Sequence, residues 1–396
     1  MASACLVSQI LPRVFPGSLF MIERCVALLG RPDEPTDAVF EYCEYLGGAL
    51  NRQGIPLELF RVRWFELGWR SALRGLRNKI AASPKASFLV QYTALMWSRH
   101  GFSWRVLSVI RLLKKSGARC IVMFHDSEEY LGSCLVDRLR RKVQIYTMRK
   151  ALQLADLAIL NVPPENAPWV PAGSRKAVCI PVGANLPSPE RGWSQSKASR
   201  RERPFVVVFS LSGGRVLEQE VRTISEAVVY AGEKLGALLL VVAGRNSEAG
   251  GLLLKEKLAG TRVEVTAYGL LGGEELVPLL GSCDVMLFVR GPISSRRGSA
   301  IAGIACGLPI VGREGWETGW PLTEAGVVLL PRDRKPEYGQ ALVRVLSDRS
   351  YARSLAERSR QAYLRYFSWD VIAAQYLEAL RGIQSLTDKL SEGQEG

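Results

Sequence analysis

Histidine is nearly absent: His100 and His125 are the only two among 396 residues, too few for a histidine-rich metal centre. The eight cysteines, at positions 5, 25, 43, 120, 134, 179, 283 and 306, stand singly with no Cys-x-x-Cys. That spacing excludes a cysteine-pair zinc site and a disulfide scaffold, and it fits reduced thiols in a cytosol. There is no Asp-x-Asp to present a divalent metal. No apolar run reaches the roughly 18–20 residues that a membrane span requires. The opening stretch Met1–Ile22 has no basic start and is interrupted by Pro12, Arg13 and Pro16, so it reads as a poor signal peptide and as an extension outside the fold, with Met21 as an alternative start. Glycine and proline follow no fixed period, which excludes collagen-like and linker-dominated chains.

What is present in excess is positive charge, 52 Lys+Arg against 38 Asp+Glu. It is uneven: residues 1–187 hold 25 basic and 14 acidic side chains, residues 188–396 hold 27 and 24. A basic first half predicts an anionic partner, a phospholipid surface or a nucleic acid. Arg138, Arg140, Arg141, Lys142, Arg149 and Lys150 accompany one candidate helix, and Arg70, Arg74, Arg77 and Lys79 an earlier one. Such faces are either simply solvated or interfacial. With no nucleic-acid-binding module and no matching charge in the second half, no nucleic-acid partner is expected.

Hydrophobic periodicity predicts two rounds of alternating strands and helices. The first comprises strand Arg24–Leu29, helix Ala38–Arg52 capped by Asp37, strand Leu57–Val62, a helix near Trp69–Ala82, strand Phe88–Tyr92, helix Trp104–Lys115, strand Cys120–Phe124, helix Leu135–Ala155 and strands Leu157–Val162 and Ala177–Pro181. The polar, proline-bounded stretch Pro187–Pro204 reads as a linker. The second round has strand Phe205–Phe209, helix Leu217–Lys234, strands Leu238–Ala243 and Val263–Ala267, helix Glu274–Leu280, strand Val285–Val289, helix Ser299–Cys306, strands Pro309–Val311 and Val327–Leu330, and helices Tyr338–Leu346, Tyr351–Tyr366 and Ile372–Leu380. The prediction is an α/β chain of two doubly wound, Rossmann-like domains whose ligand edges, the strand carboxyl ends, face each other across a cleft.

Three loops carry candidate chemistry. The segment Cys283–Gly312 runs from a buried strand through Ser294, Ser295, Arg296 and Arg297 into a small-residue helix starting at Gly298 and Ser299. Unpaired helix-start amides beside two guanidinium forks suit a diphosphate. A tightly packed βαβ unit with a solvated arginine pair is the alternative, and spacing alone does not separate them. After strand Phe205–Phe209, Ser212, Gly213 and Gly214 can make a turn whose amides approach a phosphate, with Arg215 as the charge; an ordinary glycine turn fits as well. After strand Cys120–Phe124 stand His125, Asp126, Ser127, Glu128 and Glu129. A neutral imidazole there can donate to a ligand hydroxyl or a developing charge, with Asp126 orienting it; a core-satisfied histidine is the alternative. The loop Gly30–Thr36, with Arg31, Asp33 and Thr36, lies on the same predicted edge.

The Cys283–Gly312 segment resembles the donor-binding region of GT-B glycosyltransferases, in particular the retaining family four (group 1). Val241-Val242-Ala243-Gly244-Arg245, Ile180-Pro181-Val182-Gly183-Ala184-Asn185 and Phe367-Ser368-Trp369 are similar to that family's signatures in the same order. The departure is its paired-glutamate motif: Ser294 and Ala302 stand where the family has the sugar-contacting and ribose-contacting glutamates. The resemblance implies a GT-B fold with an extension 1–22, an acceptor domain 23–187, a linker 188–203, a nucleotide-sugar donor domain 204–366, a helix 367–385 crossing back to the first domain and a tail 386–396. It implies a hexosyltransferase-type enzyme, retaining and metal-independent, needing no cofactor beyond a UDP- or GDP-sugar as substrate. His125, Asp126 and Arg215 would serve catalysis, and Gly213, Gly214, Arg215, Arg245, Ser294, Ser295, Arg296, Arg297, Gly298 and Ser299 would hold the donor. The expected setting is surface polysaccharide or glycoconjugate biosynthesis in the cytoplasm, peripheral to the inner membrane face, with a saccharide or lipid-linked acceptor. The alternatives are a catalytically silent GT-B-like module that binds a membrane or partner protein and, disfavoured by the few matching carboxylates, a sugar-nucleotide epimerase.

Overall fold

Strand–helix alternation closes into two six-stranded sheets, ordered β2-β1-β3-β4-β5-β6 and β12-β11-β10-β7-β8-β9, with every pairing parallel. A computed structural model describes residues 23–127, 132, 134–195, 203–333 and 337–392. The extension 1–22, Glu128, Glu129 and most of the charged half of the linker lie outside them. The first domain contains β1 (Cys25–Leu29), α1 (Ala38–Arg52), β2 (Leu57–Arg61), α2 (Trp64–Ala81), β3 (Ser87–Tyr92), α3 (Val106–Lys115), β4 (Arg119–Phe124), α4 (Leu135–Leu154), β5 (Leu157–Leu160) and β6 (Ala177–Cys179). A single turn, α5 (Gly192–Gln195), precedes the second domain: β7 (Phe205–Phe209), α6 (Arg215–Leu235), β8 (Leu238–Ala243), α7 (Ser247–Lys257), β9 (Val263–Ala267), α8 (Gly273–Ser282), β10 (Val285–Pro292), α9 (Gly298–Ala305), β11 (Ile310–Arg313), β12 (Val327–Leu330), α10 (Tyr338–Ser347), α11 (Arg349–Ala362) and α12 (Trp369–Glu392).

The elements follow from local chemistry. β1 and β3 are buried at every position, as a parallel sheet covered on both faces demands. Asp37 caps α1 by accepting from the Phe40 amide, and Tyr42, Cys43, Leu46, Ala49 and Leu50 form the buried stripe of that helix. Four expectations need correction. α2 begins at Trp64 rather than Trp69, because Gly68 at φ +75° lets a first turn join the main helix across a kink. α7 was not anticipated: its Gly250 and Gly251 break the apolar pattern, yet they are what lets the helix sit on Leu211 and Ala267. β10 runs on to Pro292, which carries Arg290 within the strand. α12 extends well beyond Ile372–Leu380 in both directions.

Two features join the halves. α5 is pinned to the second domain, where the Trp193 indole donates to the Ala305 carbonyl at 2.7 Å. The chain then returns: Trp369 at the start of α12 donates to the Ala184 carbonyl, stacks on Tyr45 and meets Tyr42 edge-on, and the Tyr376 and Tyr42 hydroxyls bond at 2.9 Å. Gly183 must be glycine here, since a Cβ would lie 2.5 Å from the Trp369 ring. Trp369→Ala should therefore cost roughly 3–5 kcal/mol, the usual range for deleting a buried large aromatic. Urea unfolding checks this against Leu364→Ala, an exposed position expected to change stability by less than about 0.5 kcal/mol.

Candidate functional site

In a doubly wound sheet the ligand crevice opens where neighbouring strands send their chains in opposite directions. That point lies between β1 and β3 in the first sheet and between β7 and β10 in the second. Loops at the carboxyl edges of the two sheets meet. Arg245, after β8, reaches across to Asp33 (3.1 Å) and to the hydroxyl and carbonyl of Thr36 (3.0 and 2.9 Å). The Ser295 hydroxyl donates to the Asn161 carbonyl after β5, and the Val182 amide donates to the Ser295 carbonyl at 3.1 Å.

From the second domain, Arg296 and Arg297 enter this seam just before α9. Both are held by Glu317: Arg296 Nε bonds Glu317 Oε2, and Arg297 Nη2 lies 3.0 Å from Glu317 Oε1. The Glu317 side chain is 1% exposed, so a buried carboxylate is shared by two part-buried guanidinium groups. Arg290, on β10, adds a third guanidinium. Burial and the Arg297 charge push its pKa down, the Arg245 charge pushes the same way, and Glu220 opposes them. Gly298 and Ser299 open α9, whose amino end and dipole face the same edge. Ser294 is fully buried, whereas Ala302 lies inside α9 with its methyl in the core.

The glycine turn after β7 is arranged differently from the expectation. Gly213, Gly214 and Arg215 are exposed, with Arg215 as the first residue of α6. The Ser212 amide and hydroxyl both donate to buried Glu220, at 2.7 and 2.6 Å, so that amide is already taken.

From the first domain, the His125 Nε2 sits 2.8 Å from Gln91 Oε1, while Tyr42 packs edge-on against the ring. Gln91 Oε1 can only accept, so Nε2 carries the proton and Nδ1 is the free acceptor. Burial lowers the His125 pKa to about 4, keeping the imidazole neutral near pH 7. Gln91, not Asp126, therefore orients the ring, which corrects the expected pairing. The Asp126 carboxylate instead accepts from the Ala94 amide at 2.9 Å. Burial raises its pKa, while that amide and the charges of Arg296 and Arg297 restrain the rise. Three residues of this site, Gln91, Arg290 and Glu317, were not singled out in the sequence. Each is a polar side chain at the carboxyl end of an apolar strand or just after one, and that position was the available signal.

No protein-family profile and no curated protein matches the chain. Solved structures do. Sucrose-phosphate synthase from Thermosynechococcus elongatus superposes with a TM-score of 0.63 at 18% identity, covering 92% of this chain and 100% of that one. A glycosyltransferase from Rickettsia africae gives 0.62 at 12%, covering 91% and 99%. The Anabaena HepE protein in complex with UDP and glucose gives 0.56 at 15%, covering 91% and 100%. The chain has the GT-B fold, two Rossmann-like domains facing across a cleft.

The lowered His125 pKa sets a pH dependence. Between about 4 and the ordinary 6.5 the unfolded chain binds a proton at this position that the folded chain does not, so stability falls as pH drops through that window. The loss amounts to at most about 3 kcal/mol. Asp126, with its raised pKa, acts in the opposite sense, so the comparison is between the wild type and His125→Asn, whose unfolding free energy should decline less from pH 7 to 4.5. Parallel profiles would show that His125 is solvated.

Proposed function

We propose that the chain is a glycosyltransferase that moves a sugar from a nucleoside diphosphate donor to an acceptor hydroxyl. The observation carrying this reading is the convergence of Arg245, Arg290, Arg296 and Arg297 on the edge of the second sheet that faces His125 and Asp126. Guanidinium groups from β8, β10 and the start of α9, together with that helix dipole, suit the charge that develops on a departing diphosphate. Arg215 and the Gly213–Gly214 turn stand at the rim for the same anion. His125, neutral and held by Gln91, offers Nδ1 as an acceptor towards the reacting sugar. A hexose donor, retention at the anomeric carbon and independence of metal ions belong to this reading through the family resemblance, as does a role in glycoconjugate assembly. The HepE structure contains UDP and glucose, which makes UDP the first nucleotide to test.

A catalytically silent GT-B-like module is the second reading, and one observation favours it: Glu317 already pairs with both Arg296 and Arg297, and Asp33 engages Arg245, before any ligand arrives. Calorimetry with UDP and GDP separates the two. Arg290→Gln should weaken nucleoside diphosphate binding about tenfold to a hundredfold, as expected for one charged hydrogen bond. Arg296 and Arg297 are best removed together with their shared counter-charge, as Arg296→Gln/Arg297→Gln/Glu317→Gln, because the carboxylate left alone at this buried position would destabilise the fold by itself. Wild-type protein that binds neither UDP nor GDP would favour the silent module.

We further propose that α4 brings the protein to an anionic membrane surface. Among the described residues no helix is long and apolar enough to cross a membrane. On α4, however, Leu135, Val136, Leu139 and Tyr146 are 79%, 54%, 56% and 51% exposed, next to the exposed Arg138, Arg141, Lys142 and Arg149. Apolar side chains ringed by cations suit a headgroup layer. Leu135→Glu/Leu139→Glu should abolish co-sedimentation with phosphatidylglycerol vesicles, and wild-type binding should fall steeply with salt. Equal binding to neutral phosphatidylcholine vesicles would refute the electrostatic part.

A further inference from the structure

The second domain has a cavity of about 630 Å³ away from the seam, within the range of roughly 300–1,000 Å³ usual for small-molecule sites. Strand alternation shows which way it opens. Phe288 of β10 belongs to the core that runs on into the first domain, whereas Val289 packs with α6 and α10. Successive strand residues face opposite ways, so Val289 looks onto a face that the seam does not use. There α6 and α10 wall the cavity, and they touch where Gly339 sits so close to Tyr230 that a Cβ would lie 2.8 Å from the ring. Earlier turns of α6 line it through Gln219, Glu220 and Thr223, together with Gly291 and Arg313 at the ends of β10 and β11. Only one nitrogen of the Arg313 guanidinium is engaged. Nη2 donates to the Arg332 carbonyl at 2.9 Å, while Nε and Nη1 have no partner and Nη1 is not buried. Its charge is felt by the buried phenol of Tyr338, which lines the same space.

We infer that this cavity is a second binding site, which takes a small neutral saccharide. Charge selects the ligand. Three carboxylates, Glu220, Glu226 and Glu337, line the cavity against the one guanidinium, so a free anion would meet an excess of negative charge. A cation would find buried Glu220 already accepting from the Ser212 amide and hydroxyl, and would leave Arg313 unmet. A saccharide satisfies both signs at once. Its hydroxyl oxygens accept from Arg313, and its hydroxyl protons go to acceptors such as Glu337 and the Gln219 amide oxygen. The rings of Tyr338 and of Tyr230, which is 38% exposed, supply apolar surface for the C–H face of a sugar. The site lies outside the donor cleft and does not depend on the donor-site reading, although Glu220 is a wall common to the cavity and the glycine turn.

Saturation-transfer difference NMR on the full chain tests this, with glucose, mannose, N-acetylglucosamine and maltose as probes. At least one sugar should receive saturation, undiminished by excess UDP. Thr223→Trp on α6 and Gln340→Trp on α10 fill the cavity from its two walls without removing a packed side chain, and each should abolish the transfer at an unchanged Tm. If one of them melts lower, the other decides. Arg313→Gln should weaken binding about tenfold, as expected for one charged hydrogen bond. Glucose 6-phosphate should bind more weakly than glucose. Saturation of none of the four sugars, or transfer that survives a folded cavity-filling variant, would overturn the assignment. Displacement of the sugar by UDP would overturn it too, by placing the sugar in the cleft, and tighter binding of glucose 6-phosphate would overturn the neutral class. Wild-type protein that binds no UDP would bring down the donor reading and leave this site to be judged on the cavity-filling variants.

Discussion

A single buried carboxylate organises the seam between the two domains. Glu317 holds Arg296 and Arg297, the residues that lead into α9, at a position 1% exposed to solvent. Taking a carboxylate fully and two guanidinium groups partly out of water is costly, and an ion network of this kind often contributes little net stability. Its effect is geometric. Two long, flexible side chains lose their freedom, and their guanidinium groups are fixed beside the amino end of α9 and within electrostatic reach of Asp126 on the other domain. One carboxylate against two arginines also leaves net positive charge at the edge, to which Arg290 adds a further cation.

The rest of the seam consists of contacts that lock the domains in one relation. Arg245 on Asp33 and Thr36, Ser295 on Asn161 and Trp369 on Ala184 come from three separate parts of the second half and end on three separate parts of the first. The Arg245–Asp33 pair is partly exposed and contributes little by itself. Trp369 is different: it is buried, wedged over Gly183 between two tyrosines of α1, and carries the mechanical connection. The division of labour is physical. Apolar packing supplies the cohesion, so the polar contacts in the cleft can remain few and exchangeable with a ligand.

Much of this was legible in the sequence, for identifiable reasons. Parallel strands buried on both faces read as unbroken apolar runs, and β7 and β8 coincide with the runs Phe205–Phe209 and Leu238–Ala243. Asp37 announced α1 because capping is local chemistry. α7 was hidden because its two glycines, poor helix formers, are selected by a tertiary contact with Leu211 and Ala267. The site was harder. Arg296 and Arg297 stand together in the chain and were visible as a pair, but their partner Glu317 is some 20 residues away and meets them only through the β10–α9–β11 fold. Asp126 looked like the orienting carboxylate for His125 because it is adjacent in sequence. Adjacent residues after a strand point in different directions, and the side chain that reaches the imidazole is Gln91, from the neighbouring strand β3.

Net charge was the least direct guide to the site. The basic excess belongs to the first half of the chain, yet the arginines at the cleft come from the nearly balanced second half. The first-half cations sit largely on helices such as α4, with Arg138, Arg141, Lys142 and Arg149 exposed to solvent. The two populations obey different physics. Exposed lysines and arginines act collectively over roughly a Debye length and carry no positional information. Those at the seam are partly desolvated, are held by Glu317 and Asp33, and act through geometry at hydrogen-bond range. A whole-chain count sums both, so it announces the diffuse surface field and hides the site. The site is found instead where the topology reverses its winding and polar side chains interrupt buried strands: Gln91 at the end of β3, Arg290 within β10 and Asn161 just beyond β5.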